Sequence, residues 1–163
     1  MRRGITTLVT GLSGLLLMAL PACSQTSGAD RSSAPVIFVA STPCSAGTRP
    51  LPGIPREGGC ELIKWKLQLF GAMGKQTSGT YLLDCVYGMP QQGTRGFIHG
   101  GQQLHREGKW IIGNGIYRLD PDTPRVAVSF LRLNENLLQL LDSDQRLMIG
   151  TGAWSYTLNK VQQ

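Results

Sequence analysis

A strict alternation of apolar and polar side chains in residues 61–70 is the strongest constraint on the fold of this chain. The apolar side chains fall on one face and the polar ones on the other, with Ile63, Trp65, Leu67 and Leu69 opposite Lys64, Lys66 and Gln68. Successive side chains of a β-strand point to opposite faces of the sheet, so the pattern predicts a strand with one buried face. Such half-covered strands are typical of antiparallel sheets.

Short β-prone segments recur along the chain and are separated by turn-forming residues. The predicted strands cover residues 35–40, 61–70, 80–87, 97–99, 109–112, 115–119, 126–133, 137–141, 146–149 and 154–158. Asn114-Gly115 predicts a tight hairpin, Asp120–Pro124 a turn, and the Pro- and Gly-rich residues 43–59 a long loop. Only the leucine-rich residues 133–141 compete as a helix. Strand-like segments bracket them, so we predict a turn plus a strand there.

Many short strands without a long amphipathic helix predict a meander that closes on itself to protect its edges. The expected fold is all-β, a small antiparallel up-and-down β-barrel of the lipocalin-like kind, over residues 34–161. We expect Trp65, Trp110 and Trp154 in its core. The alternative is that they line a ligand cavity, as in a carrier of a small apolar molecule.

The N-terminus has the features of an export signal. Arg2 and Arg3 precede an apolar stretch that is short for a membrane span, which predicts a signal peptide over residues 1–22. The sequence Leu20-Pro21-Ala22-Cys23 resembles the lipobox of bacterial lipoproteins. In that motif the cysteine is acylated, with palmitate among the usual chains, and becomes the mature N-terminus.

The lipobox resemblance implies lipidation of Cys23, a flexible tether over residues 23–33 and attachment to a membrane. Ser24 favours the outer membrane under the enteric sorting rule, with the periplasmic face as the expected location. The alternative is an ordinary secreted protein whose signal happens to end near a cysteine.

Cysteine usage agrees with export. Cys44, Cys60 and Cys85 follow Cys23, and an odd number in an oxidising compartment predicts one disulfide and one free thiol. Three pairings are possible. We favour Cys44 with Cys60, since this bridge would restrain the Gly- and Pro-rich loop between them, and Cys85 could equally be a buried small hydrophobe.

The charge pattern bears on the class of partner. The formal net charge is +6, but the lysines and arginines are scattered and form no run of like charge. A nucleic-acid partner is therefore not indicated.

From Cys60 onward, the order of features resembles the N-terminal domain of the NlpE family, outer-membrane lipoproteins linked to copper homeostasis and surface-contact signalling. The matching pieces are Cys60-Glu61, Leu67-Gln68-Leu69, Gly79-Thr80-Tyr81, Tyr87-Gly88, Glu107-Gly108-Lys109-Trp110, Ile116–Leu119, 133–144 and Trp154–Leu158. The resemblance implies a barrel fold and a lipid anchor. Our functional prediction is a membrane-anchored accessory in envelope homeostasis or in stress or surface sensing. Its partner, whether an envelope protein, peptidoglycan or a surface, stays open.

The chain departs from that family at the Cys-x-x-Cys motif, the feature that is suited to metal binding or redox chemistry. A Cys-x-x-Cys precedes the first strand in the family, and here Glu57 stands three residues before Cys60. The pair of thiolates that suits a soft metal such as Cu(I) is therefore missing, and we predict no tight copper site. A weaker site could still form from Cys60 with His99, His105 or a methionine, provided that Cys60 is not in a disulfide.

No other pattern predicts a metal, a cofactor or catalysis. His99 and His105 have no recognised metal-ligand spacing and are expected to be exposed in a loop. Asp142-Ser143-Asp144 lacks the glycine and glutamate of a calcium loop, and the carboxylates of Asp120 and Asp122 are expected to cap turn amides. No serine lies in a nucleophile motif. We therefore predict a protein that is not an enzyme.

Overall fold

The computed structural model describes residues 34–44, 51–55, 59–72 and 76–162. Eight antiparallel strands in chain order close into a barrel, and they are β1 Val36–Pro43, β2 Leu62–Phe70, β3 Ser78–Gly88, β4 Gln102–Gly113, β5 Ile116–Leu119, β6 Val128–Asn134, β7 Leu137–Leu140 and β8 Thr157–Lys160. The predicted all-β up-and-down barrel is confirmed. The predicted signal peptide, Cys23 and the tether lie outside the described residues. Within the described part of the chain, no helix is both long enough and apolar enough to cross a membrane.

Strand β2 follows the alternation that the sequence predicts. Ile63, Trp65, Leu67 and Leu69 are buried inside the barrel, whereas Lys66 on the other face is exposed. On one side β2 pairs with β1 along the whole of β1, and on the other it pairs with β3 from Leu62 to Phe70. With the β3–β4 ladder, which runs from Ser78 to Tyr87, these two continuous ladders make β1–β4 the best-paired wall of the barrel.

Two glycines of the β3–β4 pair leave room for aromatic rings. Gly79 lies opposite Trp110, and Tyr81 lies opposite Gly108. A Cβ at Gly79 would lie 2.7 Å from Nε1 of Trp110. Without that Cβ, the indole N–H donates a 3.0 Å hydrogen bond to the carbonyl of Phe70. Each ring covers a glycine on the neighbouring strand, which brings the two strands close and holds their register.

The barrel interior is packed with side chains. Trp65 of β2 and Phe130 of β6 come from opposite walls, and their rings meet edge to face with centroids 6.3 Å apart. The indole N–H of Trp65 also donates to Oγ1 of the buried Thr42 at 2.8 Å, so the polar atoms of both side chains are satisfied. Further fully buried interior residues are Ile63, Leu67, Leu69, Tyr81, Leu83, Trp110, Leu119, Leu138, Leu140 and Leu158.

The predicted hairpin at Asn114-Gly115 is confirmed. Both residues have positive φ, 52° and 77°, as the two central positions of a type I′ turn require. Gly113 and Ile116 pair directly across this turn, which sets the register of β4 against β5.

Strand β4 is longer than the sequence predicts, and the predicted strand at residues 97–99 is wrong. Residues 102–108 belong to β4, although they carry polar and charged side chains. Residues Ile98–Gly100 form a 3₁₀ turn with positive φ at His99 and Gly100, a conformation that cannot continue a strand. Phe97 makes only an isolated bridge to Pro90.

Two predictions near the C-terminus are also wrong. Residues 146–149 form no strand of the barrel, and only Leu147 makes an isolated bridge, to Leu141. Trp154 is not in the core, since 44% of its surface is exposed and β8 begins three residues later, at Thr157. Both errors concern the connection between β7 and β8, whose residues belong to no strand of the barrel.

Candidate functional site

The connections of the barrel differ in length between its two ends. Because the strands alternate in direction, the connections after β1, β3, β5 and β7 leave the barrel at one end, which we call the loop end; their described residues are 44, 51–55, 59–61, 89–101, 120–127 and 141–156. The connections after β2, β4 and β6 lie at the other end, the turn end, where β1 begins and β8 finishes; their described residues are 71–72, 76–77, 114–115 and 135–136. Loops that a rigid barrel positions are the usual location of binding groups, so the loop end is the candidate site.

The described part of the β1–β2 connection packs against the core of the barrel at the loop end. The predicted disulfide between Cys44 and Cys60 is confirmed, with the two Cα atoms 5.4 Å apart. Leu51 and Ile54 of the same connection are buried in the core cluster. The bridge and these two side chains fix the part of the connection that closes the barrel.

The β5–β6 connection is held by a partly buried polar cluster. Oδ2 of Asp120 accepts hydrogen bonds from the hydroxyl of Tyr81 at 2.7 Å and from Nη2 of Arg106 at 2.5 Å. Nη2 of Arg106 also donates to the carbonyl of Val126 at 2.6 Å. Burial raises the pKa of the Tyr81 hydroxyl well above its ordinary value, and the hydrogen bond to Asp120 raises it further.

This cluster corrects one sequence prediction. The side chain of Asp120 was expected to cap turn amides, but it faces Tyr81 and Arg106, and only its backbone carbonyl accepts from the amide of Thr123. Gly108 permits this arrangement, because a Cβ there would collide with Oδ1 of Asp120.

The β7–β8 connection folds back along the outer face of the barrel. Oδ1 of Asp142 accepts from the amides of Asp144 at 2.9 Å and Arg146 at 2.8 Å, so the predicted turn at Asp142–Asp144 is confirmed. Nε2 of Gln145 donates to Oγ of Ser129 on β6 at 3.2 Å. These contacts form one wall of a cleft.

The cleft has a volume of about 630 Å³ and opens between the three connections. Its apolar lining is Leu51, Pro52, Ile54, Pro121, Pro124, Ala127, Val128, Leu141 and Met148, and its polar lining is Arg118, Arg125, Ser129, Asp142, Ser143 and Gln145. A volume of this size lies within the range of ligand-binding clefts in proteins.

Large apolar side chains are also exposed at the loop end. Six of the ten exposed large hydrophobic residues of the described chain lie in its connections, and they are Met89, Ile98, Val126, Leu147, Ile149 and Trp154. Ile149 has 86% of its surface exposed. Clusters of exposed apolar side chains commonly mark interaction surfaces.

The potential metal ligands do not converge. His105 lies on the outer face of β4 and not in a loop, with Nδ1 2.7 Å from Oδ1 of Asp84, whereas His99 is in the 3₁₀ turn. The sulfur of Cys60 is in the disulfide, so the condition for the weaker copper site is not met. In the part of the chain that the structure describes, no three His, Cys, Asp or Glu side chains are grouped as a metal site. The absence of a tight copper site stays a prediction.

Cys85 is a free thiol, and it is buried among interior side chains, as predicted for a small hydrophobic residue.

The residues that sequence reasoning missed are Arg106, Arg118 and Arg125. Arg118 and Arg125 gave no signal, because each is a single cation in an unremarkable segment. Arg106 gave none either, because its counter-charge, Asp120, is 14 residues away in the chain.

Comparisons of this chain with protein-family models, with curated proteins and with solved structures gave no match. The fold is therefore described from its own strand topology, and the resemblance to the NlpE family stays a prediction.

Proposed function

We propose that this protein is a lipid-anchored envelope lipoprotein with a non-catalytic, NlpE-like barrel, an accessory in envelope homeostasis or in stress or surface sensing. The lipobox at Cys23 supports the anchor, and the disulfide between Cys44 and Cys60 supports an oxidising compartment outside the cytosol. The ordered set of features from Cys60 onward supports the family.

The observation that carries the proposal is that the chain enters the barrel at one end and that the long connections lie at the other. The chain enters β1 at Val36, at the turn end, and the four long connections lie at the opposite end. An anchor at Cys23 would hold the protein from the turn end through residues 23–33. The loop end, with its cleft and exposed apolar side chains, would then be presented away from the point of attachment.

The contacts at the loop end support a binding role over a catalytic one. Its polar groups hold loops: Arg106 and Asp120 fasten the β5–β6 connection, and Asp142 holds backbone amides. The pair of His105 and Asp84 lies on the outer face of the sheet, away from the cleft lining.

A carrier of a small apolar ligand is the other candidate from the sequence. The discriminating feature is the interior, and the contact of Trp65 with Phe130 across the barrel fills the space that a ligand would need. The packing therefore supports a binding module that uses its surface.

The proposal is tested by following acylation and location of the full chain in a Gram-negative host. We expect the wild type to incorporate labelled palmitate and to fractionate with outer membranes, because acyl chains in pairs give stable attachment. Cys23→Ser should abolish both. Ser24→Asp should move the acylated protein to the inner membrane, and the matched control Ser24→Ala should leave it in the outer membrane. Acylation that persists in Cys23→Ser would refute the anchor.

A further inference from the structure

The cleft at the loop end carries two cations without an internal partner. Arg118 and Arg125 both line it and are exposed, and the guanidinium group of neither is hydrogen-bonded or ion-paired to another described residue. Two arginines outside the cleft lining are engaged, since Arg106 pairs with Asp120 and Arg146 lies 3.6 Å from Asp144. The two free guanidinium groups make this side of the cleft a site for anions.

The one carboxylate in the lining is occupied. Asp142 directs Oδ1 at the backbone amides of Asp144 and Arg146, and these two hydrogen bonds offset part of its charge. The arginines therefore dominate the field within the cleft. A guanidinium group binds a carboxylate through two parallel hydrogen bonds, which makes arginine the residue suited to acidic side chains.

The rest of the lining fits a peptide better than an alkyl chain. Proline and aliphatic side chains supply apolar contact, but the side chains of Ser143 and Gln145 interrupt it. An alkyl chain laid over them would bury polar atoms without hydrogen bonds, which costs free energy. A peptide offers amide and carbonyl groups to these side chains, and the exposed Leu147 and Ile149 beside the cleft supply further apolar contact.

We propose that this cleft binds an extended acidic peptide segment of an envelope protein, with Arg118 and Arg125 holding its carboxylates and the apolar lining holding its aliphatic side chains. The inference rests on the proposed function for the location of the partner. It adds the chemistry of that partner and the place where it binds.

The test is fluorescence anisotropy with the full chain carrying Cys23→Ser, so that binding is measured without the anchor. The probes are three end-blocked, labelled hexapeptides in which leucine alternates with glutamate, glutamine or lysine. We expect the glutamate peptide to bind at least about tenfold more tightly than the glutamine peptide, and its affinity to fall as salt rises. The lysine peptide should bind least.

Arginine variants locate the site. Arg118→Gln and Arg125→Gln should each weaken binding of the glutamate peptide by about three- to fivefold, as expected for a partly exposed ion pair. The matched control is Arg132→Gln, an exposed arginine of β6 that does not line the cleft, and it should leave binding unchanged. Unchanged far-UV spectra and urea midpoints would show that each variant is folded.

Three outcomes would overturn the inference: no binding of the glutamate peptide, equal binding of the lysine peptide, or equal losses in the cleft and control variants. Anionic phosphatidylglycerol vesicles are a separate arm, and binding to them without binding to the peptide would assign the cleft to a lipid. Because these measurements use the unanchored chain, their failure is distinguishable from failure of acylation at Cys23.

Discussion

Removing the disulfide between Cys44 and Cys60 should weaken the barrel by an amount that follows from the loop it closes. The two cysteines are 16 residues apart in sequence. Closing a loop of that length in the unfolded chain corresponds to about 3 kcal/mol of stabilisation. Both side chains are buried. Replacing them with alanine should therefore remove about 1 kcal/mol of packing each in addition.

Equilibrium urea unfolding separates these two contributions. In the chain carrying Cys23→Ser, reducing agent should lower the free energy of unfolding by about 3 kcal/mol, since it opens the bridge and keeps both sulfur atoms. The double variant Cys44→Ala/Cys60→Ala should lose about 5 kcal/mol, the sum of both effects. Adding reducing agent to the double variant is the control and should change nothing, because Cys85 is then the last cysteine in the chain.

The reasoning would be refuted if the reduced protein unfolded at the same urea concentration as the oxidised one. It would also be refuted if reducing agent lowered the stability of the double variant, because a different pairing would then exist in solution.

Two further predictions concern β4 and the buried thiol. Gly108→Ala should lower the free energy of unfolding, measured by urea titration, by about 2–4 kcal/mol, because the added Cβ displaces Asp120 from its partly buried hydrogen bonds. The control in the same titration is Gly113→Ala on the same strand, where a Cβ meets nothing within 4 Å. Burial raises the pKa of the Cys85 thiol from 9.0 to about 12, so its contribution to stability is full below pH 9 and is lost as the pH rises towards 12. The resulting slope is at most about 1.4 kcal/mol per pH unit, and Cys85→Ala should remove it between pH 9 and pH 10, below the range in which the raised pKa of Tyr81 adds its own slope. An unchanged slope between pH 9 and pH 10 in that variant would exclude Cys85 as its source.

Local signals in the sequence were sufficient to predict most of the strands and turns of the fold. The alternation in residues 61–70 predicts β2 because burial on one face requires period two, and Asn114-Gly115 predicts its hairpin because both positions need positive φ. The bridge between Cys44 and Cys60 was favoured because it restrains the loop that it closes. The strand and the hairpin are specified by neighbours in the chain, so the printed residues suffice to predict them. The bridge joins residues 16 apart, and the sequence left three pairings possible.

The first half of β4 shows why other elements could not be predicted. Its inward positions are Leu104, Arg106 and Gly108, and a cation and a glycine there break the apolar pattern of a strand. Arg106 is tolerated inside because Asp120, from another connection, supplies its counter-charge, and Gly108 because the ring of Tyr81 lies over it. Partners distant in sequence satisfy both residues, so local periodicity carries no sign of them.

The sequence by itself determined the antiparallel meander and the core face of β2, and it supplied the motif that predicts an anchor at Cys23. Only the tertiary structure decided that the long connections share one end of the barrel and that Arg118 and Arg125 line one cleft there. It also decided that Trp154 is exposed and not in the core. The reason is physical: alternation and turn chemistry act between neighbouring residues, whereas a cleft is made by loops that the closure of the barrel brings together.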